Sequence, residues 1–553
     1  MKQKLLVIGG VASGTKAAAK AVRENPDLEV TVLTEEDYIS YAGCGLPYYI
    51  GNVIKDKKHL TVMTPEKFKE KDITVLLRHR AEKIVPAGKK VIAKDLVTGD
   101  VKDFAYDKLI LATGAKPVVP PIPGVGLKNV YTLRSVTDAL KIREAVEKEG
   151  IKKAVVVGGG FIGLEVAENL TLQGVKVTLV ELLDQILPNF DREIALLAEK
   201  YLKEKGIEIH TGDKAVAVEG DADGKAKALV TEKMKIDTDM VLLSIGVKPN
   251  TQLAAEAGVE LGVKDAIKVN ENMETNIPDI YAVGDCAENI NLITGRPAWY
   301  PMGSTANKMG RVAALNLYPK GEKESLKGVL GTTVVKLFDM NVARTGLSER
   351  EARNAGYDVV TVLVPAHDRA HYYPGAKNII TKLVVDRASH RVLGAQIIGE
   401  GVVDKPIDII ATVITFKGTV EDVSKLDLAY APPFSSAMSS TIVAANVAVN
   451  KLTGKLEGIS PLELKERLSD PGLQVIDVRE EAEYLVGAIP GSRNIPLKTI
   501  KIRAGEIDRS KETVVVCKIG LRAYLAYTTL KHLGFGNIKI LDGGVAAWPF
   551  ELE

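Results

Sequence analysis

The chain has 553 residues, of which 46% are hydrophobic and 26% charged, a length that suggests three or four domains at ~150 residues each. Lys plus Arg (73) against Asp plus Glu (71) leaves +2, with no basic stripe for nucleic acid and no apolar run near the ~18 residues of a membrane span. Three cysteines, an odd number, make no disulfide framework, and the cytoplasm is the expected compartment. The opening residues are basic and then apolar, like a secretory leader. Their apolar stretch ends at Ile8 in glycines and reads as a buried strand instead.

In chain order, residues 4–14 run from an apolar strand through Gly9-Gly-Val-Ala-Ser-Gly14 into an alanine-rich helix, and Val30-Thr-Val-Leu33 is a second strand. Residues 154–163 repeat the device, Ala154-Val-Val-Val-Gly-Gly-Gly-Phe-Ile-Gly163, followed by Lys176-Val-Thr-Leu-Val-Glu181. This is a β-α-β unit used twice. Between the copies lie Leu109-Ile-Leu-Ala-Thr-Gly-Ala115 and a proline-rich crossover, residues 116–124. Ile280-Tyr-Ala-Val-Gly-Asp285 is another strand running into glycine. From about residue 327, strands such as Gly331-Thr-Thr-Val-Val-Lys-Leu337 predict an α+β domain with an antiparallel sheet. Residues 450–458 read as a linker, and the rest again alternates strand and helix.

The second glycine fingerprint is complete. Gly158 makes the turn, Gly160 lets backbone approach a pyrophosphate, and Gly163 lets helix pack on strand. Glu181 stands where an acid bonds a ribose 2′-OH and repels a 2′-phosphate, which favours NADH over NADPH. The first fingerprint has Gly9 and Gly14 but Val11 at the middle position, and its acid is displaced, with Thr34 ending the strand and Glu35 following. Two such sites imply a flavin and a nicotinamide exchanging a hydride. Thr113, Gly114, Gly284 and Asp285 then belong to a flavin domain interrupted by a nicotinamide domain. Cys44, in Ser40-Tyr-Ala-Gly-Cys-Gly-Leu-Pro-Tyr48, has no cysteine close after it. Flanked by glycines near a helix start, it is expected to have a lowered pKa. Alone, it must pair with an outside sulfur or pass through sulfenic acid. Cys286 is expected to pack near the flavin without a redox role. His367 and His371, four apart and without a third ligand, read as loop residues rather than a metal site.

Residues 1 to about 445 resemble the coenzyme A-disulfide reductases, in the single-cysteine branch of the flavin disulfide reductases. The resemblance rests on the Cys44 motif, both fingerprints, Tyr281 to Asp285, Trp299-x-Pro-Met-x-x-x-Ala-Asn307-Lys-x-Gly-Arg311, and His371-Tyr-Tyr-Pro-Gly375. It implies bound FAD held in part by Ser40, Met302 and Asn307, a homodimer, and coenzyme A near Cys44. It also implies tyrosines from the partner subunit, matched here by Tyr372, Tyr373 and Tyr430. Lys67 and Lys71, on a predicted helix, are candidates for coenzyme A phosphates, with solvated lysines the ordinary alternative. Residues 459–553 resemble a rhodanese domain. The marks are Val475-Ile-Asp-Val-Arg479, Gly487-Ala-Ile-Pro-Gly-Ser-Arg-Asn494, Cys517-Lys-Ile-Gly-Leu-Arg522 and Leu541-Asp-Gly-Gly-x-x-x-Trp548. A backbone nest behind Cys517, with Lys518 and Arg522, would hold a thiolate or persulfide.

The expected fold class is therefore α/β: two Rossmann-like dinucleotide-binding domains, an α+β dimerisation domain and a C-terminal α/β rhodanese domain. The expected boundaries are 1–148 and 255–326 for FAD, 149–254 for NAD(H), 327–447 for dimerisation, 448–458 for the linker and 459–553 for the rhodanese. The expected activity is NADH-dependent reduction of coenzyme A persulfide, polysulfide or coenzyme A disulfide at Cys44, with Cys517 carrying sulfane sulfur and sulfide released. The alternatives are an NADH oxidase or peroxidase cycling Cys44 through sulfenic acid, and a sulfur-trafficking carrier or redox sensor. Ala12, where related peroxidases have His, counts against peroxide chemistry.

Overall fold

The computed structural model describes residues 2–319 and 321–553, so Met1 and Lys320, at or inside the ends of the expected flavin segments, lie outside the described residues. The chain divides into two compact units: residues 1–184 with 206–331, and residues 185–205 with 332–553.

The first unit holds two five-stranded parallel sheets. In the first, the order is Ile280–Ala282, Lys108–Leu111, Lys4–Ile8, Glu29–Leu33, Ile73–Leu76. In the second it is Glu208–His210, Lys176–Val180, Lys153–Val157, Met240–Leu243, Val130–Tyr131. Strands buried on both faces need continuous apolar runs, and the four residues Leu5 to Ile8 and Ala154 to Val157 are all buried. The proline-rich crossover forms a short antiparallel pair, Ala115–Pro117 against Val247–Pro249. Proline there donates nothing to a ladder, which suits a two-stranded edge. The sheet strand Ile280–Ala282 lies beside Lys108–Leu111, so the flavin half of the fold closes only after the nicotinamide half has been inserted.

The second unit contains an antiparallel sheet in the order Thr333–Leu337, Met340–Gly346, Val392–Gly399, Asn378–Asp386, Val359–His367. It also contains a parallel sheet, Gly458–Ile459, Ile538–Leu541, Glu512–Val516, Leu473–Asp477, Arg493–Asn494. The helix Ser440–Leu452 runs into the expected linker. There Lys451 Nζ donates to Thr361 O at 2.9 Å and to Asp542 Oδ2 at 2.6 Å, both ends of the ion pair being nearly buried. The linker is thus half helix, and its end is tied to the last sheet.

Residues 185–205, expected in the nicotinamide domain, group with the second unit. A buried charge cluster explains the grouping. Lys382, 3% exposed, meets Asp191 at 3.1 Å, Glu193 at 3.2 Å and Glu349 at 2.9 Å. Burial alone would lower its pKa, but Glu193, Asp191 and Glu349 outweigh it and raise the pKa. Asp191 also accepts from Gln396 Nε2 at 2.6 Å and from Glu349 N at 3.0 Å. Removing the one cation would leave buried carboxylates uncompensated. Lys382→Met is expected to destabilise this unit by about 3–5 kcal/mol, read as a lower denaturant midpoint, with Lys382→Arg recovering part of the loss.

Candidate active site

Each glycine loop is shaped by backbone packed on backbone. Gly9 has φ +116°, and a Cβ there would stand 2.0 Å from Ala112 O. A Cβ on Gly14 would stand 2.0 Å from Gly9 O. In the second copy, Gly158 has φ +110° and a Cβ would meet Ser244 O at 2.2 Å, while one on Gly163 would meet Gly158 O at 2.1 Å. Gly160 differs: it caps the helix Phe161–Leu172 and faces open space. The free N–H groups and positive dipole end of that helix accept a pyrophosphate there. Glu181 is buried, its carboxylate accepting from Gly159 N at 2.6 Å and Leu183 N at 2.8 Å. These features fit dinucleotides at both loops.

The acid of the first copy needs correction. Glu35 turns outward to Arg80, whose Nε donates at 2.8 Å, and both side chains are half exposed. Thr34 instead is buried with its side chain against Gly10, the position matching Glu181 in the second copy. Thr34, not Glu35, therefore faces the first loop. Glu36 lies partly inward beside Tyr41; burial pushes its carboxyl up, against the pull of Tyr41 and Arg134.

The first loop also meets the returning strand. Ser13 Oγ donates to Val283 O at 3.2 Å, and a Cβ on Gly284, φ +80°, would stand 2.3 Å from Ser13 Oγ. Asp285 pairs with Arg134 Nη2 at 3.1 Å, and its carbonyl accepts from Trp299 Nε1 at 2.9 Å. Arg134 Nη2 also lies against Gly114. Thr113 Oγ1 donates to Asn250 O at 2.6 Å. Met302 caps the helix Gly303–Asn316, in which Asn307 Nδ2 donates to Gly303 O at 2.8 Å. Cys286 is fully buried, its thiol beside Val283 O and Leu111 O and pushed up by burial.

Ser40, at φ +51°, donates its N–H to Gly10 O at 2.7 Å and ties the cysteine motif to the first loop. Cys44 follows in the short turn Gly43–Gly45 as an exposed residue. The expectation of a lowered pKa does not hold for the protein alone. Surrounding protein desolvates the thiol and pushes it up, Glu165 and Asp285 add to this, and Arg134 opposes them. Glu165 sits on the second loop's helix, so that helix serves both the dinucleotide and the cysteine. Burial and Glu168 push its carboxyl up to about 7, against the hydrogen bond from Tyr48. Tyr48 is pushed up to about 12 by burial and by the same carboxylates. Sequence reasoning missed Arg134, Tyr48 and Glu165. Tyr48 and Glu165 stand inside quoted motifs or two residues past them, while Arg134 has no spacing signal.

Lys67 is exposed on the helix Pro65–Lys69. Lys71 lies beyond that helix, in the turn leading to Ile73–Leu76, which corrects the expected helical pair. Among the described residues there is no group of three or more His, Cys, Asp or Glu suited to a metal, and no helix long and apolar enough to cross a membrane. His367 ends a strand, with its ring 6.2 Å from that of His371 in the following turn.

In the second unit, Tyr372 and Tyr430 are exposed and hydrogen-bond each other, and Tyr373 is on the same loop as Tyr372. The other cysteine, Cys517, is buried at the end of Glu512–Val516, before the helix Leu521–His532. Gly520 N donates to Cys517 Sγ at 3.1 Å. Arg522 is bound by Glu483 through both guanidinium nitrogens, at 2.5 and 2.8 Å.

The pyridine nucleotide-disulphide oxidoreductase family model matches residues 3–302, its dimerisation domain residues 332–442, and a rhodanese-like domain residues 460–550. The chain is 38% identical over 450 residues, 81% of this chain and 98% of the other, to the NAD(P)H coenzyme A polysulfide/persulfide reductase of Pyrococcus horikoshii. Its structure matches reduced Bacillus anthracis CoADR-RHD at TM-score 0.94 and 37% identity, covering 99% of this chain and 98% of that one. It matches an NAD-dependent persulfide reductase from A. fulgidus at TM-score 0.93 and 41% identity, covering 99% and 100%.

Because Glu165 raises the Cys44 thiol, Glu165→Gln is expected to lower that pKa. Alkylation of Cys44 near pH 7 then accelerates about three- to tenfold, measured as iodoacetamide rate against pH beside wild type.

Proposed function

Because the chain belongs to the pyridine nucleotide-disulphide oxidoreductases and carries a rhodanese-like domain, we propose that it reduces coenzyme A persulfide, polysulfide and coenzyme A disulfide with NADH. Cys44 is the redox thiol and Cys517 the persulfide carrier. The observation that carries this reading is Cys44 itself: a single exposed thiol, tied by Ser40 to one glycine loop and neighboured by Glu165 from the helix of the other.

Bound FAD and NADH supply the electron pair. Gly9, Gly14, Thr113, Gly114, Gly284, Asp285, Met302 and Asn307 would hold the flavin. Gly158, Gly160, Gly163 and Glu181 would hold the nicotinamide nucleotide. Cys44 attacks the coenzyme A sulfur of the persulfide, the S–S bond breaks and hydrosulfide leaves, and Cys44 remains as a mixed disulfide with coenzyme A. Two electrons then cleave that disulfide to the Cys44 thiolate and the coenzyme A thiol. Glu165, titrating near neutrality beside Tyr48, stores the proton that departing sulfide needs. Arg134 is the cation that favours the thiolate.

The same reading assigns a homodimer through the dimerisation domain, with Tyr372, Tyr373 and Tyr430 of the second subunit assisting at Cys44. Lys67 and Lys71 meet coenzyme A phosphates, and the compartment is the cytoplasm, where thiols stay reduced. We keep the domain boundaries read from sequence as part of this proposal, with residues 185–205 moved to the second unit and the linker beginning after Leu452. Passage of sulfur from Cys517 is assigned to a diffusing coenzyme A persulfide rather than a swinging domain. The Lys451–Asp542 pair supports this, because it anchors the strand end whose next residues brace the Cys517 loop.

The test is anaerobic NADH oxidation with sulfide detection. Wild type is expected to release sulfide from coenzyme A persulfide, and Cys44→Ser to lose at least about a thousandfold of that rate, as removal of a covalent nucleophile does. Equal turnover of coenzyme A disulfide with little sulfide from persulfide would overturn the coupled reading.

A further inference from the structure

The sequence reading gave Arg522 to the sulfur bound at Cys517. The structure gives it to Glu483. Both Nη atoms of Arg522 lie on the Glu483 carboxylate, at 2.5 and 2.8 Å. That carboxylate also accepts from Glu480 N at 3.2 Å, which fixes it at the start of the helix Glu481–Val486. Arg522 holds the Glu483 carboxyl down at about 2, so the pair stays charged across the working pH range.

The other arginine beside the site is committed as well. Arg479, nearly buried, forks onto the buried Asp477 at 2.7 to 3.0 Å and donates to Gly487 O at 2.8 Å. Two arginines therefore meet two carboxylates, and the network beside Cys517 carries no net charge. What remains around the sulfur is backbone, apolar surface and one cation outside these two pairs, Lys518. Gly520 N faces Sγ, Ile519 and Leu521 are exposed next to it, and Leu485 and Val486 are exposed on the helix of Glu483. Lys518 is exposed at the start of the loop.

These charges select among sulfur donors. A small dianion such as thiosulfate needs uncommitted, charge-assisted donors to replace its hydration. A persulfide or polysulfide chain carries at most one charge, on sulfur, and is served by backbone N–H groups and apolar walls. We propose that Glu483 is a specificity-determining residue of the Cys517 site: by neutralising Arg522 it leaves Lys518 as the one cation of the loop outside an ion pair, disfavours small divalent oxyanion donors and tilts the site toward persulfide and polysulfide sulfur. This rests on Cys517 being the sulfur carrier.

With a persulfide, the Cys517 thiolate attacks the terminal sulfane sulfur. A Cys517 Sγ–S bond forms, the donor S–S bond breaks, and the donor leaves as its thiolate. With thiosulfate, the same attack on the outer sulfur releases sulfite. Neither route consumes net electrons, so charge complementarity is free to decide between them.

The experiment compares sulfur transfer to cyanide by the full-length holoenzyme from thiosulfate and from glutathione persulfide, in wild type, Glu483→Gln and Glu483→Asp. Glutamine keeps the helix-capping acceptor but releases the positive charge of Arg522. The ratio of kcat/KM for thiosulfate over persulfide is expected to rise at least about tenfold in Glu483→Gln, chiefly through a lower KM for thiosulfate. Glu483→Asp keeps the charge and is expected to stay near the wild-type ratio. An unchanged ratio in Glu483→Gln, with both donors slowed alike, marks a purely structural role and overturns the proposal. So does a wild type that uses thiosulfate as well as persulfide. Cys517→Ser separates the two levels: if persulfide transfer survives it, the carrier reading itself fails, whatever Glu483 does.

Discussion

The close approach of backbone to backbone at Gly9 and Gly158 is the constraint on which the rest of the first unit depends. A side chain at either glycine would collide with a carbonyl of the neighbouring strand, Ala112 O in one case and Ser244 O in the other. Both glycines also adopt positive φ, where other residues are strained. Without that approach each first strand could not turn directly into its helix, and the helix N–H groups would not converge on a phosphate. The cysteine motif inherits its place from the same geometry, because Ser40 hydrogen-bonds to Gly10. The geometry of the first loop thus sets where the Cys44 thiol, the proposed redox thiol, is held.

What the sequence made legible follows from this. Glycine at fixed spacing has a unique physical reason, so both β-α-β units and the positions of Gly158, Gly160, Gly163 and Glu181 could be read directly. Side chains that act through charge at a distance have no such spacing. Arg134 joins Gly114, Asp285 and Cys44 from a part of the chain with no motif, and only folding brings them together. Glu35 was misread because adjacent residues on an emerging strand point to opposite sides. The acid goes out to Arg80 and the threonine goes in. Lys71 was placed on a helix by extending a pattern past Lys69, where the chain turns through Asp72 at φ +58°. The placement of residues 185–205 depended on partners nearly two hundred positions away, Lys382 and Gln396.

Charge is handled in opposite ways at three sites. At Lys382, one buried cation meets the buried Asp191 and Glu193 and the partly exposed Glu349, which makes the cluster a structural tie. At Cys517, both arginines are paired one to one with carboxylates, which leaves Lys518 and backbone dipoles to face the sulfur. At Cys44, Arg134 is outweighed by burial and by Glu165 and Asp285, and the thiol is raised. Beside Cys44, burial and Glu168 push the Glu165 carboxyl up to about 7. On the proposed reading, Glu165 is the proton store beside Cys44.

The coupling of those two chemistries turns on what can move. Lys451, at the end of a helix of the dimerisation domain, bonds Thr361 O and Asp542. Two and three residues after Asp542, a Cβ on Gly544 would stand 2.3 Å from Cys517 O, and Val545 N donates to the same carbonyl at 3.0 Å. The Lys451–Asp542 pair and the backbone that braces the Cys517 loop therefore lie within three residues of each other in the chain. Burial pushes the Asp542 carboxyl up while Lys451 pulls it down, and separating them would strand a charge in a dry setting, at a cost of several kcal/mol. That cost opposes a swing at the linker within the second unit. On the proposed reading the mobile element is then the small-molecule persulfide itself, since a thiol on a long flexible arm meets that need better than a hinge in the protein.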